Sequence, residues 1–280
     1  MSILNLAYSD NSEINYKVSK FPDGQQSITI TSGIYNENVP VLIKSRLNSF
    51  MDLELIICAT QCLKEMGVKN ISLYIPYCIG GRSDRKFVDG GINYIKTVIA
   101  PILNSQNYKE VIILDSHSDI LEACINNFKK NTNVDLVRFA LSLIDNKDGA
   151  QGRTAFISPD AGALKKIYDL AKIFKAENVT TASKVRDVLT GNIVRTELPT
   201  MNLDGIEQFV IIDDICDGGR TFIELAKVIK QETNKPIYLI VSHGIFSAGI
   251  GELNIYFSGI FCTNSVKDIN ETNIKQLNVF

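Results

Sequence analysis

Short β-branched runs alternate with amphipathic segments along this chain. Apolar runs at 27–32, 40–44, 70–76, 110–115, 134–138, 153–158, 208–213 and 236–242 read as strands. Between them, 51–66, 92–105, 161–175 and 221–231 carry apolar residues at helical spacing, and Gly67 suits the close of the first helix. EVIILD and QFVIIDD are apolar at consecutive positions, as strands covered on both faces require. The pattern therefore predicts an α/β protein whose mainly parallel sheets are flanked by helices, with ligands at the C-terminal ends of strands. A polar stretch at 144–153 separates two halves that each hold enough strands for a sheet, which places the domains at 1–140 and 141–280. Both halves carry an apolar strand ending in Asp, then a polar loop and a helix, a weak sign of related folds. The terminal NETNIKQLNVF reads equally as a last strand or as a segment packed on the other domain.

Composition narrows the classes without choosing a function. The 280 residues are 45% hydrophobic and 21% charged, which suits a globular chain with a sizeable core. Twenty-nine basic against 31 acidic residues leave a formal charge of −2, so no global positive field speaks for nucleic acid or a membrane surface. The apolar stretches fall far short of the ~20 residues that cross a bilayer. The first residues show no basic leader with an apolar core, so a cytoplasmic location is expected. Six scattered cysteines, without a CxxC pair or a Cys/His cluster, read as reduced thiols. Of the two histidines, His117 and His243, the second is assigned neither to the site nor to the core.

The strongest local signal is FVIIDDICDGGRTFIE at 209–224. Gly218 and Gly219 let backbone amides approach a ligand closely, and a helix beginning near Arg220 and Thr221 favours phosphate at its N-terminus. Asp213 and Asp214 are suited to accept hydrogen bonds from vicinal hydroxyls of a ribose. The competing reading is an ordinary strand-to-helix turn, with Asp217 as cap and Thr221 and Glu224 as a capping box.

DDICDGGRT resembles the ribose-phosphate loop of the type I phosphoribosyltransferase fold. With FPDGQ (21–25), YIPYCIGGRSDRK (74–86), LDSHSD (114–119), ISPDAG (157–162), SKVR (183–186) and SHGIFS (242–247), it is similar in order and spacing to the ribose-phosphate pyrophosphokinases, over about residues 15 to 265. The resemblance implies two phosphoribosyltransferase-like domains, an ATP side and a ribose-phosphate side. It implies transfer of the diphosphoryl group of ATP to the anomeric hydroxyl of ribose 5-phosphate, with Mg2+ and release of AMP. On this likeness His117 and Asp160 serve the metal and nucleotide phosphates. Lys184, Arg186 and His117 are catalytic, the first two on a flexible loop. Phe21, Asp23, Gln25, Arg82, Ser83 and Arg85 bind ATP, and Asp213, Asp214, Asp217, Gly218, Gly219, Arg220 and Thr221 hold the ribose phosphate. The Phe21 loop reaches adenine across a subunit interface in the family, so a homodimer or higher homo-oligomer is expected.

The departures matter as much. The family's phosphate loop commonly reads D-T-G-G-T, whereas here Arg220 stands inside it and a threonine is missing. A guanidinium replaces hydroxyl contacts by bidentate pairing, or makes room for a more anionic acceptor such as ADP-ribose. Gln25 stands where the family usually has Glu, Ser83 where it has Gln, and Val185 where a third basic residue is frequent. A phosphoribosyltransferase and a catalytically silent regulatory partner of a synthetase are the rival readings. Neither explains FPDGQ, GGRSDRK and the retained Lys184, Arg186, His117 and Asp160 together.

Overall fold

The computed structural model describes residues 1–33, 36, 38–144, 153–186, 193–199 and 203–280. Its contacts divide the chain into two units, Met1–Thr132 with Val279–Phe280, and Asn133–Asn278. The division falls ahead of the helix that contains residue 140.

The first unit runs β1 (Ser2–Asn5), the antiparallel hairpin β2 (Asn15–Lys20) and β3 (Gln26–Ser32), β4 (Val41–Lys44), α1 (Phe50–Glu65), β5 (Ile71–Tyr74), α2 (Ala100–Ser105), β6 (Val111–Leu114), α3 (Ile120–Cys124) and β7 (Phe128–Asn131). Its parallel sheet has the order β1-β4-β5-β6-β7. α1 begins in a capping box: the Ser49 hydroxyl accepts from the Asp52 amide, and the Asp52 carboxylate accepts from the Ser49 amide at 2.9 Å. Leu53, Ile56, Ala59 and Leu63 repeat at helical spacing and bury one stripe in the core.

The second unit continues with α4 (Val134–Ile144), β8 (Thr154–Ser158), α5 (Leu164–Phe174), β9 (Asn178–Thr181), a hairpin of β10 (Ser183–Arg186) and β11 (Ile193–Glu197), β12 (Gln208–Cys216), α6 (Arg220–Glu232), β13 (Ile237–Gly244), α7 (Gly251–Tyr256), β14 (Gly259–Thr263) and β15 (Ile274–Leu277). Its parallel sheet is ordered β15-β14-β13-β12-β8-β9. The expected strand at 134–138 is the start of α4. Leu136, Val137 and Ala140 lie on one helical stripe and pack with Phe156, Ile167, Val210 and Ile240, so the 3.6 period wins over the β-branched run. The tail takes both expected roles: β15 closes the second sheet's edge, while Phe280 packs its ring 5.8 Å from Tyr8 in the first unit.

β12 explains why the continuous apolar run reads as doubly covered. Phe209 and Ile211 face one core cluster with Leu225 and Leu239, whereas Val210 and Ile212 face the other with Phe156 and α4. Phe156 is 1% exposed, so Phe156→Ala is expected to cost about 3–5 kcal/mol of folding stability, read by urea denaturation at constant m-value.

Candidate functional site

In the second unit, β12 carries Asp213 and Asp214 within its last turns of pairing rather than beyond them, with Asp213 opposite Val241 of β13. The Asp214 amide donates to Asp213 Oδ1 at 2.9 Å. Burial first, then the neighbouring Asp214 carboxylate, push the Asp213 carboxyl up to about 8; Lys166 opposes this and Asp160 reinforces it. Three acids and one ammonium thus meet electrostatically at the end of β8 and β12. Asp160 also acts as the expected local cap: it accepts from the Gly162 amide at 3.0 Å, at the turn that leads into α5.

The chain then leaves β12 into the glycine pair. Gly219 has φ +82°, and an added Cβ there would lie 3.1 Å from Leu253 Cδ2, so glycine is required at this point. Gly219 is the N-cap of α6 and supplies no side-chain acceptor, so the expected capping by Asp217 is absent. In the first turn of α6 the Phe222 amide donates to the Gly219 carbonyl at 3.0 Å, while the Arg220 and Thr221 amides have no backbone acceptor among the described residues. The Asp217 carboxylate instead accepts from Ser247 Oγ at 2.5 Å. Arg220, exposed at the first helical position, makes no ion pair among the described residues. A cation there opposes the helix dipole by about 0.3–1 kcal/mol, a cost that an incoming anion would remove. Amides, dipole and guanidinium together form a seat for a phosphate-like group, and the two acids beside it suit sugar hydroxyls.

Lys184 and Arg186 lie in β10, paired with Thr196 and Ile193 of β11, with a bulge between Val185 and Arg186. The expected loop is thus in part an antiparallel hairpin; 187–192 lie outside the described residues.

In the first unit, Arg82, Ser83 and Arg85 follow β5 and His117 follows β6, both at the C-terminal edge of the sheet. Asp84, which sequence reasoning passed over, joins them. It is 1% exposed and accepts from Arg85 Nε at 2.9 Å and Arg85 Nη2 at 3.2 Å. This pairing with Arg85, then Ser118 hydrogen bonding and the nearby His117, hold the Asp84 carboxyl below the usual range. Arg85 is therefore engaged with its own neighbour, while Arg82 and His117 are exposed. The loop carrying His117 is strained: Asp115 has φ +45°, and the buried Ser116 hydroxyl has no hydrogen-bond partner among the described residues. Phe21, Asp23 and Gln25 form the exposed β2–β3 turn, in which Asp23 accepts from the Gln25 amide at 3.2 Å. The Gln26 amide donates to Glu54 Oε1 at 3.2 Å, anchoring the hairpin on α1.

His243 is buried in β13, with Nδ1 2.8 Å from Ser265 Oγ. Among the described residues no cluster of three His, Cys, Asp or Glu side chains stands ready for a metal. The donors present are nonetheless hard oxygens with surplus negative charge, which suits Mg2+ held through one or two carboxylates, substrate phosphates and water rather than a closed protein cage.

No family model matches the chain. The ribose-phosphate pyrophosphokinase of Methanobrevibacter smithii is 27% identical over 270 residues, covering 91% of this chain and 87% of that one. The enzyme of the same name from Saccharolobus solfataricus is 24% identical over 266 residues, covering 92% and 87%. Over about nine-tenths of its length the chain is thus similar to proteins named ribose-phosphate pyrophosphokinase. It shares their fold: the phosphoribosylpyrophosphate synthetase from Mycobacterium smegmatis superposes with a TM-score of 0.79 over 99% of this chain and 95% of that one, at 14% identity. The mainly parallel sheets flanked by helices are the architecture expected above. Among the described residues no helix is long and apolar enough to cross a membrane.

The Asp213 environment yields a pH test. An unfolded Asp ionises in the ordinary carboxylate range, whereas folded Asp213 keeps its proton to about 8, so rising pH between these limits favours the unfolded chain. Asp213→Asn is expected to raise the melting temperature of the metal-free protein by roughly 3 °C at pH 8 and to leave it nearly unchanged at pH 4, by scanning calorimetry.

Proposed function

We propose that the protein transfers the diphosphoryl group of ATP to the anomeric hydroxyl of a 5-phosphorylated ribose and releases AMP. The observation that carries this reading is the open start of α6: a left-handed Gly219 without a side-chain cap, an Arg220 with no ion pair among the described residues, and two acids on the adjoining strand end. The 5-phosphate sits on the Gly218, Gly219, Arg220 and Thr221 segment, and Asp213 and Asp214 accept from the ribose hydroxyls. This arrangement fixes the acceptor so that its anomeric hydroxyl is presented at one orientation, converting a bimolecular encounter into a positioned one. Asp217 stays beside the phosphate loop rather than on the phosphate.

Arg82, Ser83 and Arg85 take the ATP phosphates and Phe21, Asp23 and Gln25 its base, Arg85 acting as a member of the Asp84 pair. Phe21 is 51% exposed on its turn, which fits a contact completed by a second copy of the chain in a homo-oligomer. Lys184 and Arg186 neutralise charge that grows on the transferred group, and His117 serves the same phosphates. A magnesium ion held by Asp160, water and substrate phosphates would supply further charge neutralisation.

Ribose 5-phosphate is the first choice of acceptor because the relatives carry that name. ADP-ribose is the second, favoured by one observation: Arg220, exposed and without an ion pair among the described residues, stands where the family loop has a glycine, and the exposed Gly218 stands where it has a threonine. A second phosphate on the 5′ oxygen has a partner there.

AMP release by the purified protein with ATP and magnesium, comparing the two acceptors and weighing the product by mass, tests the reaction; no AMP with either acceptor overturns it. Lys184→Ala is expected to lower turnover about 10²–10³-fold with ATP affinity retained, and near-normal turnover removes Lys184 from the chemistry. Arg220→Ala is expected to raise the acceptor KM about tenfold and the ATP KM less than twofold; equal effects on both make Arg220 structural.

A further inference from the structure

The SHGIFS segment has no part in the reaction described so far, yet it touches the phosphate loop at its most sensitive point. After β13 the chain turns through Phe246, a buried residue with φ +48°, and presents Ser247 at the surface. Three main-chain bonds lash this turn to the end of β12: the Ile245 and Phe246 amides donate to the Cys216 carbonyl at 2.9 and 3.1 Å, and the Ser247 amide donates to the Asp217 carbonyl at 3.2 Å. One side-chain bond is added, from Ser247 Oγ to Asp217 Oδ1 at 2.5 Å, the length of a charge-assisted contact.

That last bond helps to place a carboxylate. Asp217 lies two residues before the N-cap of α6, close along the chain to the first turn. The amides of that turn are the ones an anionic ligand needs, and α6 is left without a side-chain cap. An Asp217 carboxylate turned from Ser247 toward this turn is a like charge beside an incoming phosphate.

We propose that Ser247 is a positioning residue for the anion seat: its hydroxyl holds the Asp217 carboxylate away from the first turn of α6 and so keeps that turn open. The inference rests on the reading of this turn as the ribose-phosphate seat. Ser247 itself touches no substrate and acts through Asp217. The turn keeps its shape without the hydroxyl because the three main-chain bonds and the buried Phe246 ring remain.

The test is calorimetric titration of the full chain with ribose 5-phosphate, in wild type, Ser247→Ala, Ser247→Thr, Asp217→Asn and the Ser247→Ala/Asp217→Asn double variant. Ser247→Ala is expected to weaken binding about tenfold, Ser247→Thr to restore it to within about twofold, and the alanine change to have little effect once Asp217 is uncharged. In turnover with ATP, the acceptor KM of Ser247→Ala rises while kcat and the ATP KM stay within about twofold. Wild-type affinity in Ser247→Ala, or an equal loss in the Asp217→Asn background, overturns the proposal and leaves the functional reading intact. Failure of the wild type to bind ribose 5-phosphate overturns both. Equal melting temperatures of wild type and Ser247→Ala establish that the loss is not one of folding.

Discussion

Parallel pairing of β12 on both sides is the constraint from which the second unit follows. Phe209 to Ile212 align in register with Ile237 to Ile240 of β13, and Phe209 to Ile211 with Ala155 to Ile157 of β8. Every side chain in that stretch is covered from one face or the other, so a one-residue slip would drive each into the opposite core. Register therefore fixes the height at which Asp213 and Asp214 emerge, and that height puts them beside Asp160 at the end of β8. The chemistry inherits its geometry from apolar packing several residues away.

The same constraint concentrates uncomfortable charges. Asp213 is held against burial and against two other acids, and Arg220 stands at the wrong end of a helix for a cation. Gly219 and Phe246 add backbone in the left-handed region. None of these features stabilises the empty fold. A ligand that brought hydroxyls to the acids and negative charge to the helix start would relieve the two charge conflicts, which is how binding energy becomes specific to one kind of molecule.

The first unit follows a related plan with different means. Its sheet also ends in polar loops, but the organising group there is a buried carboxylate, Asp84, satisfied by Arg85 and Ser118 rather than by an open helix start. A buried charge in such a place needs full compensation, and the bidentate guanidinium gives it. Asp84 thereby ties the loop after β5 to the loop after β6 that bears His117.

Much of this was legible in the residues. Consecutive apolar positions announced doubly covered strands, and the order of FPDGQ, GGRSDRK, LDSHSD, DDICDGGRT and SHGIFS announced the family. The run at 134–138 misled because β-branched residues satisfy either period until the partner surface, here Phe156, Val210 and Ile240, selects the helical one. Asp84 was missed because a carboxylate between two arginines looks like a solvated charge, and only the fold shows it 1% exposed. Asp217 looked like a cap, since sequence shows which amides a side chain can reach but not which rival donor is nearer. Composition and pattern thus determined the class of fold, the strand ends that matter and the chemical types gathered there. Tertiary structure decided which of those groups are engaged with one another and which are left open, because that competition is settled by residues such as Ser247, thirty positions away along the chain and 2.5 Å away in space.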